Sequence, residues 1–248
     1  MKRLMAVVML AAFSTLAQGE ARIAVASNFE TTAKMLADRF FEATGDRITL
    51  VAGGNAKLAR QVREGTGFDA FIAGDVSHAK EVVEDGAGVE ETLFIYGIGR
   101  LVLLADDGAE KDPETRLRDE DYRALAVPDE RESAYGVAAM QVLDKMFRSR
   151  FAVRDTVEAS TAAQAFRFMR SGSVDLGFVP LSVVKQQGID ESRWWLVPQE
   201  MHDELEQAAV MLKDGNDAAR AFLDLLRNDE ETRAVIRGAG YTLPTDDE

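Results

Sequence analysis

The sequence predicts an α/β fold in two lobes. Three observations carry that expectation. Short apolar runs alternate with stretches that are apolar at helical spacing, the connections between them are short, and the alternation breaks once, near residues 93–121, before it resumes. Unbroken alternation would describe one mostly parallel sheet; a single break describes two sheets, each with its own helices.

The elements follow in order. Residues 22–26 (Arg-Ile-Ala-Val-Ala) read as a buried strand, and 31–43 as a helix with Ala33, Leu36, Ala37 and Phe40 on one face and Gly45 behind it as a C-cap. Residues 47–52 are a strand, 56–64 a helix ended by Gly65, 68–73 a strand and 76–84 a helix ended by Gly86. Residues 94–96 and 100–104 are extended with no helix between them, and 106–121 form a polar, acidic connection. Then 124–127, 153–157 and 176–179 read as strands, and 136–146, 162–169 and 181–187 as helices. The final extended runs are 194–197, where Trp194 and Trp195 belong to the core or its rim, and 207–212. Helices at 218–226 and 230–237 close the chain before Gly238 and Gly240. The expected division is a leader at 1–19, a first lobe of 20–97 plus 210–248, and a second lobe of 98–209. Open α/β sheets bind ligands beyond the C-terminal ends of their strands, so two facing sheets place the site in the cleft between lobes.

Composition narrows the function. A chain of 248 residues, 46% hydrophobic, can bury a substantial core. Its 29 Lys and Arg against 43 Asp and Glu leave a net charge of −14, which argues against nucleic acid or an anionic membrane surface as partner. The absence of cysteine removes disulfides, thiol chemistry and Cys metal sites. Lys2 and Arg3 precede an apolar run from Leu4 to Leu16, and Ala17-Gln18-Gly19 (or Gly19-Glu20-Ala21) suits signal peptidase. The run is short for a membrane span. Cleavage after Gly19 removes Lys2 and Arg3 and takes the charge from −14 to −16. With no cysteine to carry a lipid anchor, the mature chain is expected free in the periplasm, with no insertion in the membrane.

Four junctions carry the functional reading. Ala26-Ser27-Asn28, Ala52-Gly53-Gly54-Asn55, Ser133-Ala134-Tyr135-Gly136 and Ala159-Ser160-Thr161-Ala162 each end an apolar run or loop and open a helix. Each presents backbone N–H groups beside a hydroxyl or amide, with no Lys or Arg at the turn apart from Lys57 just inside the second helix. Each also reads, alone, as an ordinary cap or tight turn. Converging together, they would form a neutral cage of donors for a small anion. A tetrahedral dianion without protons is purely an acceptor, so it needs donors only. Each helix start supplies about +0.5 charge, and charge-assisted hydrogen bonds contribute about 1.5–3 kcal/mol each. Such short-range contacts outweigh an acidic surface that salt screens within about 8–10 Å. Monohydrogen phosphate would find no acceptor for its proton in an all-donor cage.

Other chemistries are poorly served. His78 and His202 lack metal-ligand spacing, and His78 falls in a polar stretch expected to face solvent. No P-loop, dinucleotide fingerprint or G-x-S-x-G elbow is present. Glu90-Glu91 and Glu230-Glu231 read as solvated faces. An enzyme is therefore not expected; an exported hydrolase acting on a phosphate ester is the weaker alternative.

The segments Ile23-Ala-Val-Ala-Ser-Asn-Phe, Lys57-Leu-Ala-Arg-Gln-Val, Phe68-Asp-Ala-Phe-Ile-Ala, Ala134-Tyr-Gly-Val-Ala-Ala, Asp175-Leu-Gly-Phe-Val, Gln207-Ala-Ala-Val and Arg220-Ala-Phe-Leu-Asp-Leu-Leu through Gly240-Tyr-Thr-Leu occur in an order and spacing that cover nearly the whole mature chain. This series resembles the periplasmic molybdate-binding proteins of ABC importers. The resemblance implies a type II periplasmic-binding fold, α/β and two-lobed, with molybdate or tungstate held in the interlobe cleft. It implies no cofactor and no bare metal cation, a membrane permease as partner, and a monomer. Sulfate, chromate or an organic anion on the same fold remains the alternative ligand. Carried over by motif, Ser27 and Asn28 match the first-loop donors, Tyr135 the Tyr-Gly contact of the second lobe, and Ala162 a backbone N–H at a helix start, with Thr161 beside it. The chain departs from the pattern at Gly54 and Asn55, where Ser or Thr is usual, so Asn55 would serve through its amide or backbone. It departs again at Pro180, where some members have a contacting Tyr whose part Tyr135 would take. The expected ligand set is Ser27, Asn28, Gly54, Asn55, Tyr135, Thr161 and Ala162.

Overall fold

The structure is a computed structural model that describes residues 19–147 and 155–244. The expected leader at 1–19 therefore lies, except for Gly19, outside the described residues. Among those described, no helix is long and apolar enough to cross a membrane.

The first sheet takes β1 (Glu20–Ala26), β2 (Arg47–Gly53), β3 (Ala70–Ile72), β4 (Phe94–Gly99) and β10 (Leu205–Met211) in the order β2-β1-β3-β10-β4. The second takes β5 (Leu101–Ala105), β6 (Leu125–Pro128), β7 (Thr156–Ala159), β8 (Leu176–Pro180) and β9 (Trp194–Leu196) in the order β7-β6-β8-β5-β9. The chain thus leaves the first sheet at Gly99 and rejoins it at Leu205. In each sheet three strands are parallel, β2-β1-β3 and β7-β6-β8, and the other two run antiparallel to their neighbours. The sheets are therefore mixed rather than mostly parallel. β5 enters the second sheet straight after β4, and β10 enters the first straight after β9, with no α-helix between, and each pairs antiparallel with its neighbours.

Helices cover both faces of each sheet. In the first lobe, α1 (Glu30–Thr44) and the terminal α8 (Asp217–Asn228) and α9 (Glu230–Gly238) pack Leu36, Phe40, Phe222, Leu223 and Ile236 against Ile23, Val25 and Ile72. On its other face α2 (Asn55–Arg63) and α3 (Val76–Glu84) set Leu58, Val62 and Val82 against Phe71 and Val210. In the second lobe α4 (Pro113–Arg118) and α5 (Ala134–Met146) cover one face, and α6 (Ala162–Arg170) and α7 (Leu181–Gln186) the other. Each fully buried Leu, Ile or Phe contributes about 1.5–3 kcal/mol of burial. These two cores hold the strand ends still.

Two local expectations shift. The acidic connection at 106–121 contains α4: Asp112 accepts the Thr115 N–H at 2.9 Å, Pro113 stands at the first helical position, and Leu117 is buried. The strand expected at 153–157 is β7 at Thr156–Ala159, and residues 153 and 154 lie outside those described. Trp194 and Trp195 fall on β9, the edge of the second sheet, each half-buried against an opposite face.

Candidate functional site

Parallel pairing brings the loops together. Ala26 stands opposite Gly53, and Val25 opposite Ile72, so the segments after β1, β2 and β3 leave the first sheet side by side. Pro128 stands opposite Ala159, so the segments after β6 and β7 do the same in the second lobe. The two sets face each other. Ala26, Ser27, Asn28, Gly53, Gly54, Asn55 and Gly74 from one lobe and Glu132, Ser133, Thr161 and Ala162 from the other line a single cavity of about 10 Å³. That is room for about one water molecule. Among the described residues, no Lys or Arg lines it.

Six of the seven residues expected from sequence therefore meet, and their individual roles differ from one another. Asn28 is buried, and its side chain turns away into the protein: Nδ2 donates to Gln207 Oε1 at 2.9 Å and to Tyr241 Oη at 3.4 Å. The Ser27 N–H donates to the Gly53 carbonyl at 3.0 Å, tying the first two loops together. Gly54 caps α2, whose first N–H groups face the cavity end of the helix without an intrahelical acceptor. Asn55 is committed elsewhere through its side chain: its Oδ1 accepts the Gly74 N–H at 3.0 Å and its Nδ2 donates to Asp75 Oδ2 at 2.5 Å. What Asn55 has left to offer the cavity is its backbone. Thr161 caps α6, its Oγ1 accepting the Gln164 N–H at 3.1 Å, which leaves the hydroxyl proton available. Ala162 opens that helix.

Tyr135 does not line the cavity. It is 1% exposed in the second-lobe core, and its hydroxyl oxygen accepts Gln207 Nε2–H at 3.0 Å. Burial pushes this phenol well above its usual range, with Tyr241 adding to the rise and donors from Gln207 and Asn28 opposing it, so it stays a neutral hydroxyl. Gln207 is the centre of this layer. Its Oε1 accepts from both Asn28 and Tyr96, whose hydroxyl lies at 2.8 Å, while its Nε2 donates to Tyr135. The register of β10 against β4 shifts at Gln207/Ala208, and such a bulge re-aims a side chain. Tyr241 Oη donates to the Asn28 carbonyl at 2.9 Å. Ser182 and Gln186 of α7 reach across from the second lobe to Asn28 O and Thr32 Oγ1 at 3.3 and 2.8 Å. Pro180 ends β8 and caps α7 behind this layer.

Gly74, Glu132 and Gln207 belong to the site without having been expected there, and Ser133, named in the third junction, belongs to it although it was outside the expected ligand set. Ser133 was within reach: it is the residue before α5, and its hydroxyl makes no capping bond. Glu132 alters the chemistry, because the cage contains a carboxylate and is not made of donors alone. His78 is also corrected. Its side chain is 16% exposed, and Nδ1 lies 2.9 Å from both Asp75 oxygens rather than facing solvent. The bond to Asp75 raises the His78 pKa, against the opposing effect of burial. Burial would raise Asp75, but the His78 bond and charge and the Ser77 hydroxyl win and lower it. His202 lies away from the cavity lining, buried, with Nδ1 2.6 Å from the Asp203 carbonyl.

Known proteins resemble this chain in sequence and fold. The chain is 34% identical over 227 residues to the molybdate-binding protein ModA of Rhodobacter capsulatus, covering 91% of this chain and 89% of that one. It is 32% identical over 228 residues to the ModA of Azotobacter vinelandii, covering 90% of each. Its structure superposes on the Azotobacter vinelandii periplasmic molybdate-binding protein with a TM-score of 0.83 at 27% identity, over 91% of this chain and all of that one. The family described as bacterial extracellular solute-binding protein matches residues 21–242. With paired α/β lobes, loop ends meeting in the cleft and a match over that whole span, the chain belongs to the bacterial extracellular solute-binding proteins.

Proposed function

We propose that this chain binds molybdate, and tungstate, between its lobes and delivers it to the permease of an ABC importer. The observation that carries this reading is the meeting of helix starts and hydroxyls from both lobes in one cavity without a cationic side chain on its lining. Relatives named for molybdate binding, at about one-third identity over nine-tenths of their length, support the same reading. The donors are Ser27 through its hydroxyl, Gly54 and Asn55 through the backbone at the start of α2, Thr161 through its hydroxyl and Ala162 through its N–H. Asn28 shapes the first loop from behind, and Tyr135 supports that layer through its bond to Gln207.

A tetrahedral oxyanion is larger than a cavity of about 10 Å³, so binding requires the lobes to part and close again. The chain crosses between sheets at Gly99–Leu101 and again just before Leu205, and these two crossings are the hinge of that motion. The first lobe is then the part before the first crossing together with the part after the second. The leader at residues 1–19 exports the chain, which works as a free periplasmic monomer. It carries its ligand rather than turning it over.

Calorimetric titration with molybdate, tungstate, sulfate and phosphate tests the reading. The expected outcome is sub-micromolar binding of the two heavy oxyanions, the order of about −8 kcal/mol or better. Sulfate should bind more weakly because it is smaller. No heat with either heavy oxyanion rejects the proposal, and a sulfate affinity above both assigns the cage to sulfate.

A further inference from the structure

Among the described residues, Glu132 is the one carboxylate or other charged side chain on the lining of the cavity. It sits between β6 and α5, in a turn where the Glu132 and Ser133 N–H groups both donate to the Asp129 carbonyl, at 3.1 and 3.0 Å. From there it reaches across the cleft to the first lobe. Its Oε2 lies 3.1 Å from the point where a Cβ on Gly54 would stand, against the residue that caps α2. Its charge has no close counter-ion. Arg131, next to it in sequence, is turned away: Nε and Nη2 bond to Asp129 Oδ1 and Oδ2 at 3.0 and 2.8 Å, and Nη2 lies 3.6 Å from Glu158. His78 feels the Glu132 charge but is bonded to Asp75. Among the described residues no hydrogen bond or ion pair to the Glu132 carboxylate is formed.

Resting on the anion-binding reading, we infer that Glu132 is a built-in competitor for the oxyanion. In the lobe arrangement described, its carboxylate lies at the positive end of α2, where backbone N–H groups would otherwise meet a ligand oxygen. The absence of a Cβ on Gly54 permits the close approach. A dianion entering the cage meets a negative charge in a poorly hydrated space, where repulsion between like charges is much stronger than in water. Binding therefore expels the Glu132 side chain from the cleft. Glu132 lowers the affinity of the cage, and it favours release once the lobes part.

The experiment compares wild type with Glu132→Gln and Glu132→Asp by calorimetric titration with molybdate and with inorganic phosphate. Thermal unfolding without ligand checks that each variant folds. Glu132→Gln keeps the shape and removes the charge; it is expected to bind molybdate about tenfold or more tighter than wild type. Glu132→Asp keeps the charge but withdraws it by one methylene, and is expected to fall between the two. An unchanged or weakened molybdate affinity in Glu132→Gln, with wild type still binding, overturns the competitor role alone. So does a selective loss of phosphate binding in Glu132→Gln, which would make the carboxylate an acceptor for a protonated anion. Failure of wild type and both variants to bind molybdate overturns the anion-binding reading with it.

Discussion

The two halves of the cage are built differently. On the first-lobe side the amide side chains are already spent on the protein: Asn28 on Gln207 and Tyr241, Asn55 on Gly74 and Asp75. What remains is the Ser27 hydroxyl and backbone held by buried hydrogen bonds. On the second-lobe side the groups are free ends: the Ser133 hydroxyl without a capping bond, the Thr161 hydroxyl proton, and the Glu132 carboxylate. The contrast separates two tasks. The first lobe fixes where donors stand, since Asn28 and Asn55 are held by buried hydrogen bonds, and leaving such a polar group unpartnered would cost about 1–3 kcal/mol. The second lobe tunes what the donors hold, since its side chains can change without disturbing a network.

The largest expected effect comes from breaking the first half. Gln207→Leu takes the shorter of two acceptors from Asn28 Nδ2, which keeps Tyr241 Oη at 3.4 Å, and from the Tyr96 hydroxyl, which keeps the Ala73 carbonyl at 3.2 Å, and it takes a donor from Tyr135. Urea unfolding should show a loss of roughly 3 kcal/mol or more. A loss below about 1 kcal/mol would mean that the first lobe does not depend on this layer. Next in size is the joint replacement Ser27→Ala with Tyr135→Phe, which removes a hydroxyl from each lobe. Molybdate affinity is expected to fall about a hundredfold or more, near 2.7 kcal/mol. Unchanged affinity would exclude both from the site.

Thr161→Val tests the second half. It deletes the cap of α6, worth about 1 kcal/mol, and one hydroxyl donor, so a modest fall in stability should accompany a roughly tenfold loss of molybdate affinity. A fall in stability with no change in affinity would make Thr161 a cap only.

The smallest effect is a pH dependence behind the first half. The His78 pKa is raised in the folded protein, so its share of stability is complete below its usual value of 6.5 and is lost as pH rises through the raised value. The Asp75 pKa is lowered, so its share is present above 3.8 and is lost as pH falls through the lowered value. The stability advantage of wild type over His78→Gln should therefore shrink as the pH rises above about 6.5 and through the raised His78 value. An advantage constant over that range would mean that the pair is not charged as described.

Much of this was legible in the chain. The period of apolar residues located the helices of the first lobe to within a residue or two, and Gly45, with φ of 81°, ends α1 in the left-handed conformation that favours glycine. The loops around Ser27, Asn28, Gly54, Asn55, Thr161 and Ala162 were visible because a strand followed by small polar residues and a helix is a local pattern. Two local signals were present and passed over: Asp112-Pro113 opening α4, and Asp75 capping α3 three residues before His78. The acidic surroundings of both made them read as solvated chain.

The sequence by itself determined where most of the helices lie, which polar junctions open them, and which apolar faces must be buried. Those are effects of neighbours within about four positions, and they act before the fold exists. Only the tertiary structure decided that Tyr135 stands behind the cavity, that Gln207 holds Asn28 from β10, 179 residues away, and that Glu132 crosses the cleft to Gly54. These outcomes depend on how two separately packed sheets face each other, and no local preference encodes the distance between groups that meet only across a cleft.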